Sequence, residues 1–464
     1  MKLKLIFSLI LFSVITQQCF ALDIVYPRKN QVTINSSSTF FIGSSTVGVP
    51  LTVNGEYVRV HPSGGFAYVV NLHDGKNTFV LQSGDEIKTY IIEKPPARTY
   101  SGNYTPPPLV EYTSKKNYYI ASDGAPLRQT PIDAGINRLS HFEKDVPLLI
   151  DGEKSNFYRV VLNNNEKAWI AKTNVKAFKG YLNTPATVSG RIFSEDDKYY
   201  TFTFDLDKKT PYIMTEGQLF TLKFYNVKDY PDNTYVFTFP IQGKLFGYQG
   251  YYEGNKFILK IRKYPQINAQ KPLKGRIITI DAGHGGNDTG TIGCCGHKEK
   301  DINLAISEFL EKELQSRGAT VFMTRRIDNN VGLKTRVEYA NSKDSELLIS
   351  IHANALPDGA DPNKHSGTSI FYYYNQAKPL ADKILAEVTT QVGTSDDKVR
   401  QGSLALVRNT NALSILIEVA YMINPEDNAK LINTEFQKQC AKSIADGIEK
   451  YFTDSSQKTI LQSK

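Results

Sequence analysis

Two short apolar runs, Arg276 to Ile280 and Leu347 to Ile351, constrain this chain more than any other feature, because each runs straight into a histidine. The first leads to Asp281-Ala282-Gly283-His284-Gly285-Gly286 and the second to His352-Ala353-Asn354. Runs of this kind read as parallel strands buried on both faces. In an open α/β sheet, ligands and metals sit in the loops at the carboxyl ends of the strands, so both imidazoles fall on the edge where a site belongs. Glu299, in Lys298-Glu299-Lys300-Asp301, stands where the loop after the first histidine meets an amphipathic helix.

Two histidines and one carboxylate with a fourth position open is the ligand set of a catalytic zinc. The chain has no H-E-x-x-H and no paired C-x-x-C, so such a site has to be assembled by the fold. His297 and His365 read as solvated loop residues, with His297 open as a substitute ligand because it is two residues from Glu299. Asp281 and Asp288 either orient ligands from behind or serve turn chemistry beside glycine. A dinucleotide loop is excluded because Asp288 occupies the place of the third glycine in G-x-G-x-x-G.

The stretch from about Lys274 to Tyr451 resembles the zinc-dependent N-acetylmuramoyl-L-alanine amidases, which cut peptidoglycan between the lactyl group of muramic acid and L-Ala. The resemblance rests on the glycine-rich loop with His284, on Glu299-Lys300-Asp301 and on Ser350-Ile351-His352-Ala353-Asn354. Gly367-Thr368, Leu416-Ile417-Glu418 and Asn424-Pro425-Glu426 follow in the same order. It implies zinc held by His284, Glu299 and His352, with Glu418 as the catalytic carboxylate. Glu418 sits in the otherwise apolar run Ser414 to Met422, where a carboxylate is costly to bury unless it is paired or functional. Beside a metal it can take a proton from water and return it to the leaving amine. Two other classes stay open: a non-catalytic wall-binding or regulatory protein, and a zinc peptidase acting on stem peptides. Some family members carry a helical plug after the strand matching Thr368 to Tyr374. Here only Asn375 to Pro379 precedes the next helical pattern, Leu380 to Val392.

The expected architecture is multidomain, with N-terminal all-β modules followed by an α/β catalytic domain whose mostly parallel sheet is covered by helices. The length of 464 residues allows about three or four domains. Residues 1–21 read as a signal peptide, from Lys2 and Lys4, the apolar run Leu5 to Ile15 and Cys19-Phe20-Ala21. Cys19 as a lipid-attachment residue fits less well because Gln18 precedes it. Residues 22–94 read as an immunoglobulin-like sandwich with a hairpin at Asn54-Gly55. Residues 95–116 are a proline-rich spacer, expected to hold that module away from the rest. Residues 117–178 resemble a bacterial SH3-like barrel, with Trp169 as its buried anchor. Residues 179–267 are β-rich and of no assigned family, and residues 274–454 form the catalytic domain.

The signal and the lack of any other long apolar run predict a protein without a membrane span, secreted to the periplasm or cell wall. Peptidoglycan is the expected partner, and envelope proteins are an open class. A net charge of +8 with no dense Lys/Arg block excludes nucleic-acid binding, while favouring anionic envelope polymers. Cys294, Cys295 and Cys440 lack framework spacing, so no disulfide scaffold is expected; Cys440 reads as buried in the last helix and the vicinal pair as loop filler.

Overall fold

A computed structural model describes residues 22–97, 107–178 and 184–462, with side chains as far as residue 454. The signal segment 1–21 and residues 98–106 of the spacer lie outside the described residues.

The catalytic part alternates strand and helix: β1 (Ile277–Ala282), α1 (Glu299–Ser316), β2 (Thr320–Met323), α2 (Leu333–Ser342), β3 (Leu347–Asn354), β4 (Thr368–Tyr372), α3 (Lys378–Val392), β5 (Asp396–Gln401), β6 (Leu413–Tyr421), α4 (Pro425–Leu431) and α5 (Thr434–Gln462). The six strands form one sheet in the order β2-β1-β3-β6-β4-β5. All neighbours are parallel except β4 against β6.

Side-chain alternation divides the two faces. Ile278, Ile280, Ile349, Ile351, Ile415 and Ile417 enter one apolar core with Ile306, Leu310, Ile384, Ile444 and Cys440 of the helices α1, α3 and α5. The opposite face carries Thr279, Asp281, Ser350, Ser369 and Ser414, all 2% exposed or less. It is covered by α2 and the short turn Leu406–Arg408, through Ala340, Leu348, Leu406 and Ala412. The polar face is therefore the place where side chains with chemistry can be held rigidly.

The first β module has a three-stranded and a five-stranded sheet packed over Phe41, Phe66, Leu81 and Ile92. Its Asn54-Gly55 turn joins Leu51–Val53 to Glu56–Val58, both turn residues having positive φ. The seven-stranded sheet of residues 110–177 shares a single core with the strands of residues 188–262, from Ile120 and Phe142 through Phe204 and Phe224 to Ile261. Trp169 is not an anchor of that core. On its strand, Lys167–Ala171, the neighbours Ala168 and Ile170 point inward, and period-2 geometry turns the indole to the half-exposed outer face.

The two β regions grip opposite edges of the catalytic sheet. At the edge where the parallel strands begin, Tyr248 N–H donates to Thr410 (2.8 Å), Gly247 N–H to Gln376 Oε1 (2.8 Å) and Arg262 to Asp344 (2.7 Å). At the carboxyl edge, the first module docks on the loops that carry the histidines and Glu299. Tyr26 and Thr39 donate their hydroxyls to Asp358 Oδ1 at 2.8 and 2.6 Å. Phe40, Ile42 and Ala67 bury Cys294 and Ile423, with Leu356 at the margin. The expectation of a module held at a distance is thus overturned. A proline-rich spacer sets only the reach of the chain, whereas apolar contact and paired hydroxyls decide docking. Cys294 is correspondingly more than loop filler, being fully buried where that module meets the catalytic part.

Candidate metal centre

His284 follows β1 directly and has positive φ (59°), a backbone state that non-glycine residues seldom adopt. It is fixed from behind by two arginines, each 4% exposed. Arg336 donates to the carbonyls of Ala282 (2.8 Å) and His284 (2.8 Å), and Arg325 to those of Ala282 (2.9 Å) and Gly283 (2.9 Å). Asp281 holds Arg336 in place at 2.7 Å and also accepts from Ser350 (2.7 Å) and Thr324 (2.6 Å). Asp281 therefore acts on the loop through Arg336 and touches neither imidazole in these bonds. Asp288 is the residue that orients a ring, bonding His284 Nδ1 at 2.9 Å and leaving Nε2 to face inward.

His352 projects from the last turn of β3, and Glu299 is the first residue of α1, where the helix dipole favours a carboxylate. Glu299 Oε1 lies 3.1 Å from His284 Nε2 and 3.1 Å from His352 Nδ1, and the three donor atoms are within 4.8 Å of one another. Thr291 N–H donates to its other oxygen at 2.9 Å. The 3% exposure of Glu299 would by itself raise the carboxyl pKa; the hydrogen bonds and charges of both histidines outweigh this and hold it well below the usual range. The reciprocal effect pushes His284 up to about 9: burial alone would lower it, but Glu299 and Asp288 prevail.

Glycine is required twice at this site. A Cβ on Gly283 would overlap the ring of His352, and one on Gly290 would fall 2.8 Å from Cδ2 of His284 and collide with Glu299. The glycine-rich loop thus lets the backbone pass against the side chains of His352, His284 and Glu299.

Glu418 lies beside His352 in register on β6, with Ser369 of β4 as its neighbour on the other side. Directly opposed residues share a face, so imidazole, carboxylate and hydroxyl form one row. Burial pushes Glu418 up to about 7, the charge of His352 opposing and that of Glu299 adding. Its Oε2 and the Ser369 hydroxyl are buried without a hydrogen-bond partner among the described residues. Buried polar atoms are almost always paired, so an orphaned carboxylate oxygen next to three converging donors marks a place built for a reacting group.

The three residues fit a metal of the zinc class: two imidazole nitrogens and one carboxylate oxygen, held by hydrogen bonds behind them. His297 and His365 are exposed and outside the cluster. Sequence reading missed Arg325, Arg336 and Ser369. Only the parity of β4 relative to β6 could have brought in the serine.

A model of the N-acetylmuramoyl-L-alanine amidase family matches residues 278–450. The chain is 34% identical over 201 residues to the germination-specific N-acetylmuramoyl-L-alanine amidase of Bacillus subtilis strain 168, a match spanning 82% of that protein and 39% of this chain. The chain belongs to the N-acetylmuramoyl-L-alanine amidase family. It is also 33% identical over 192 residues to the uncharacterized protein YqiI of the same organism, over 90% of that protein and 40% of this one. Amidase AmiC2 of Nostoc punctiforme, a solved structure, is 33% identical, with a TM-score of 0.37 across 38% of this chain and 98% of that one. Among the described residues the amidase part is thus preceded by strands that run from Asp23–Tyr26 to Lys256–Arg262.

Proposed function

We propose that this amidase hydrolyses the bond between N-acetylmuramic acid and L-Ala with a zinc ion held by His284, Glu299 and His352, and with Glu418 as its proton-transfer residue. The observation that carries the reading is the row of His352 and the orphaned Glu418 carboxylate facing the His/Glu/His cluster. A zinc ion in that cluster supplies Lewis acidity toward water and toward an amide carbonyl. The protein's own contribution is positional. Arg336 and Arg325 fix the backbone of the His284 loop, Asp288 sets which imidazole nitrogen faces the cluster, and Glu299 adds negative charge to it. Glu418, whose pKa near 7 lets it hold or release a proton at neutral pH, takes a proton at its carboxylate and returns it to the leaving amine.

We propose that the substrate lies outside the cytoplasm, on the signal-like sequence of residues 1–21; among the described residues no helix is long and apolar enough to cross a membrane. We assign residues 22–94 to an immunoglobulin-like module, residues 117–178 to an SH3-like module and residues 179–267 to a β region without an assigned family. We assign the catalytic domain to residues 274–454 and the spacer to residues 95–116, between the first two modules, although the strand Val110–Ile120 already begins within that span. Digestion of purified peptidoglycan tests the reading. Release of an L-Ala amino terminus supports it, a cut inside the stem peptide would assign a peptidase, and no cut would leave a wall-binding protein.

A further inference from the structure

The geometry points to a second binding site, an oxyanion site of the phosphate class built from Arg128, Arg138 and Arg408 where the seven-stranded sheet meets the amidase domain. It lies at the edge of the catalytic sheet away from the metal cluster, and it stands independently of the amidase reading.

Arg128 and Arg138 are directly opposed across the hairpin formed by Ala125–Arg128 and Arg138–Phe142. Like charges in that position repel, and neither is freely solvated. Arg128 is 3% exposed, and Arg138 is half-buried against the amidase domain, its backbone N–H donating to the hydroxyl of Tyr373 at 3.2 Å. Arg408 comes from the amidase side, one residue beyond Val407, which packs against that same Tyr373. The repulsion is felt: burial together with the charges of Arg408 and Arg128 lowers the pKa of Arg138, and the same three guanidinium groups, after burial, push His141 down to about 4. His141 is consequently neutral and accepts from Arg138 Nη1 at 3.1 Å.

Negative charge at this place is scarce. Among the described residues the one carboxylate touching the group is Asp133, on Arg128, and its side chain is 77% exposed. Arg128 also donates to Asn137 Oδ1 at 3.2 Å, and Arg408 to the Ser403 carbonyl at 2.6 Å. The Nε atoms of Arg128 and Arg138 are buried with no hydrogen-bond partner among the described residues. Three guanidinium groups with one exposed carboxylate leave more donors than acceptors. A tetrahedral phosphate group, with several oxygens in different directions, suits a cluster of guanidinium groups better than a planar carboxylate, which saturates one fork. The ligand is therefore a phosphate oxyanion, either free or carried on a phosphodiester chain.

The chain carries its own reporter, because its only tryptophan, Trp169, is the register partner of Arg128 on the adjoining strand. Inorganic phosphate is titrated into the full chain at constant ionic strength, replacing chloride, while Trp169 fluorescence is followed. The expected result is a saturable change with a Kd of about 1 mM or below, weakened about tenfold or more in Arg138→Ala and in Arg408→Ala. Arg408→Ala lies outside the hairpin, so it remains informative if Arg138→Ala misfolds. A response linear in phosphate, or one equal in wild type and both variants, overturns the site and means an adventitious ion only. Acetate binding as tightly as phosphate overturns the phosphate assignment. Polyglycerol phosphate binding more tightly per phosphate than the free ion identifies a polymer as the source, and equal affinity identifies the free ion. Both variants keep wild-type turnover on soluble muropeptides, so failure of this site and failure of the amidase reading are separately visible.

Discussion

Two kinds of polar residue meet at the proposed metal centre, and they are expected to fail differently when altered. His284 and His352 are proposed to supply donor atoms to zinc, so His352→Ala is expected to lose both zinc and activity, measured by metal analysis and muropeptide release. Glu418 is proposed to move a proton, so Glu418→Gln is expected to keep zinc and fold while turnover falls by about 10²–10⁴-fold. Stoichiometric zinc in His352→Ala would mean that the ligands are misassigned. Behind them, Arg336 and Asp281 form a pair that is almost wholly buried, at 4% and 0% exposure. Arg336→Met should therefore destabilise the domain by about 3–5 kcal/mol in urea unfolding, because it leaves the Asp281 carboxylate buried without its cation. If the loss stayed below about 1 kcal/mol, Arg336 would not be what holds the His284 loop.

At the scale of elements, the interface between the β region and the catalytic sheet contains an ionisable weak point. Glu216, directly after the strand Tyr212–Thr215, accepts from Gln376 N–H at 3.1 Å, yet its Oε1 is buried without a hydrogen-bond partner among the described residues. Burial pushes its pKa up to about 7, against the opposing hydrogen bonds from Gln376, Asn375 and Tyr248. The folded state thus binds this proton more tightly than the unfolded chain. Its contribution is fully present below pH 4.5 and is lost as pH rises to about 7. Glu216→Gln keeps an acceptor and removes the charge. Its stability advantage over wild type should be greater at pH 8 than at pH 5 by roughly 2 kcal/mol, read from chemical denaturation at both values. An advantage independent of pH would show that Glu216 is solvated. The helices were easier to foresee than these contacts: an amphipathic helix was readable from Glu299 onward, and α1 is found at Glu299–Ser316 with Ile302 and Ile306 in the core. The next connection, with α3 starting at Lys378, leaves no length for a plug after β4.

For the whole molecule, the first β module behaves as part of the catalytic unit. It covers the loop between His284 and Glu299, through Cys294, and the loop after His352, through Leu356 and Asp358. Removing both hydroxyls, in the double variant Tyr26→Phe, Thr39→Val, is expected to weaken docking by about 1–3 kcal/mol, because the Asp358 carboxylate loses its donors. Faster proteolytic release of the first module and a separate melting transition for it would report the loss. The isolated segment 274–464 should still digest soluble muropeptides without an activator, since all the proposed ligands lie within it. It should also melt lower than the full chain, because Ile423 and Cys294 become exposed. A melting temperature equal to that of the full chain would show that the docking contributes nothing.

The sequence by itself determined what depends on neighbours along the chain. Strand ends carrying His284 and His352, a helix beginning at Glu299, an improbable carboxylate at Glu418 and the Asn54-Gly55 hairpin are all local patterns, set by backbone preference and by the cost of burying charge. Tertiary structure decided what depends on parity and on surfaces meeting. Trp169 turned outward because its neighbours on the strand filled the core. Ser369 joined Glu418 because β4 runs antiparallel to β6 in one particular register. The first module closed on the catalytic loops because Phe40, Ile42 and Ala67 found Cys294 and Ile423, residues more than 200 positions away whose contact leaves no trace in local sequence.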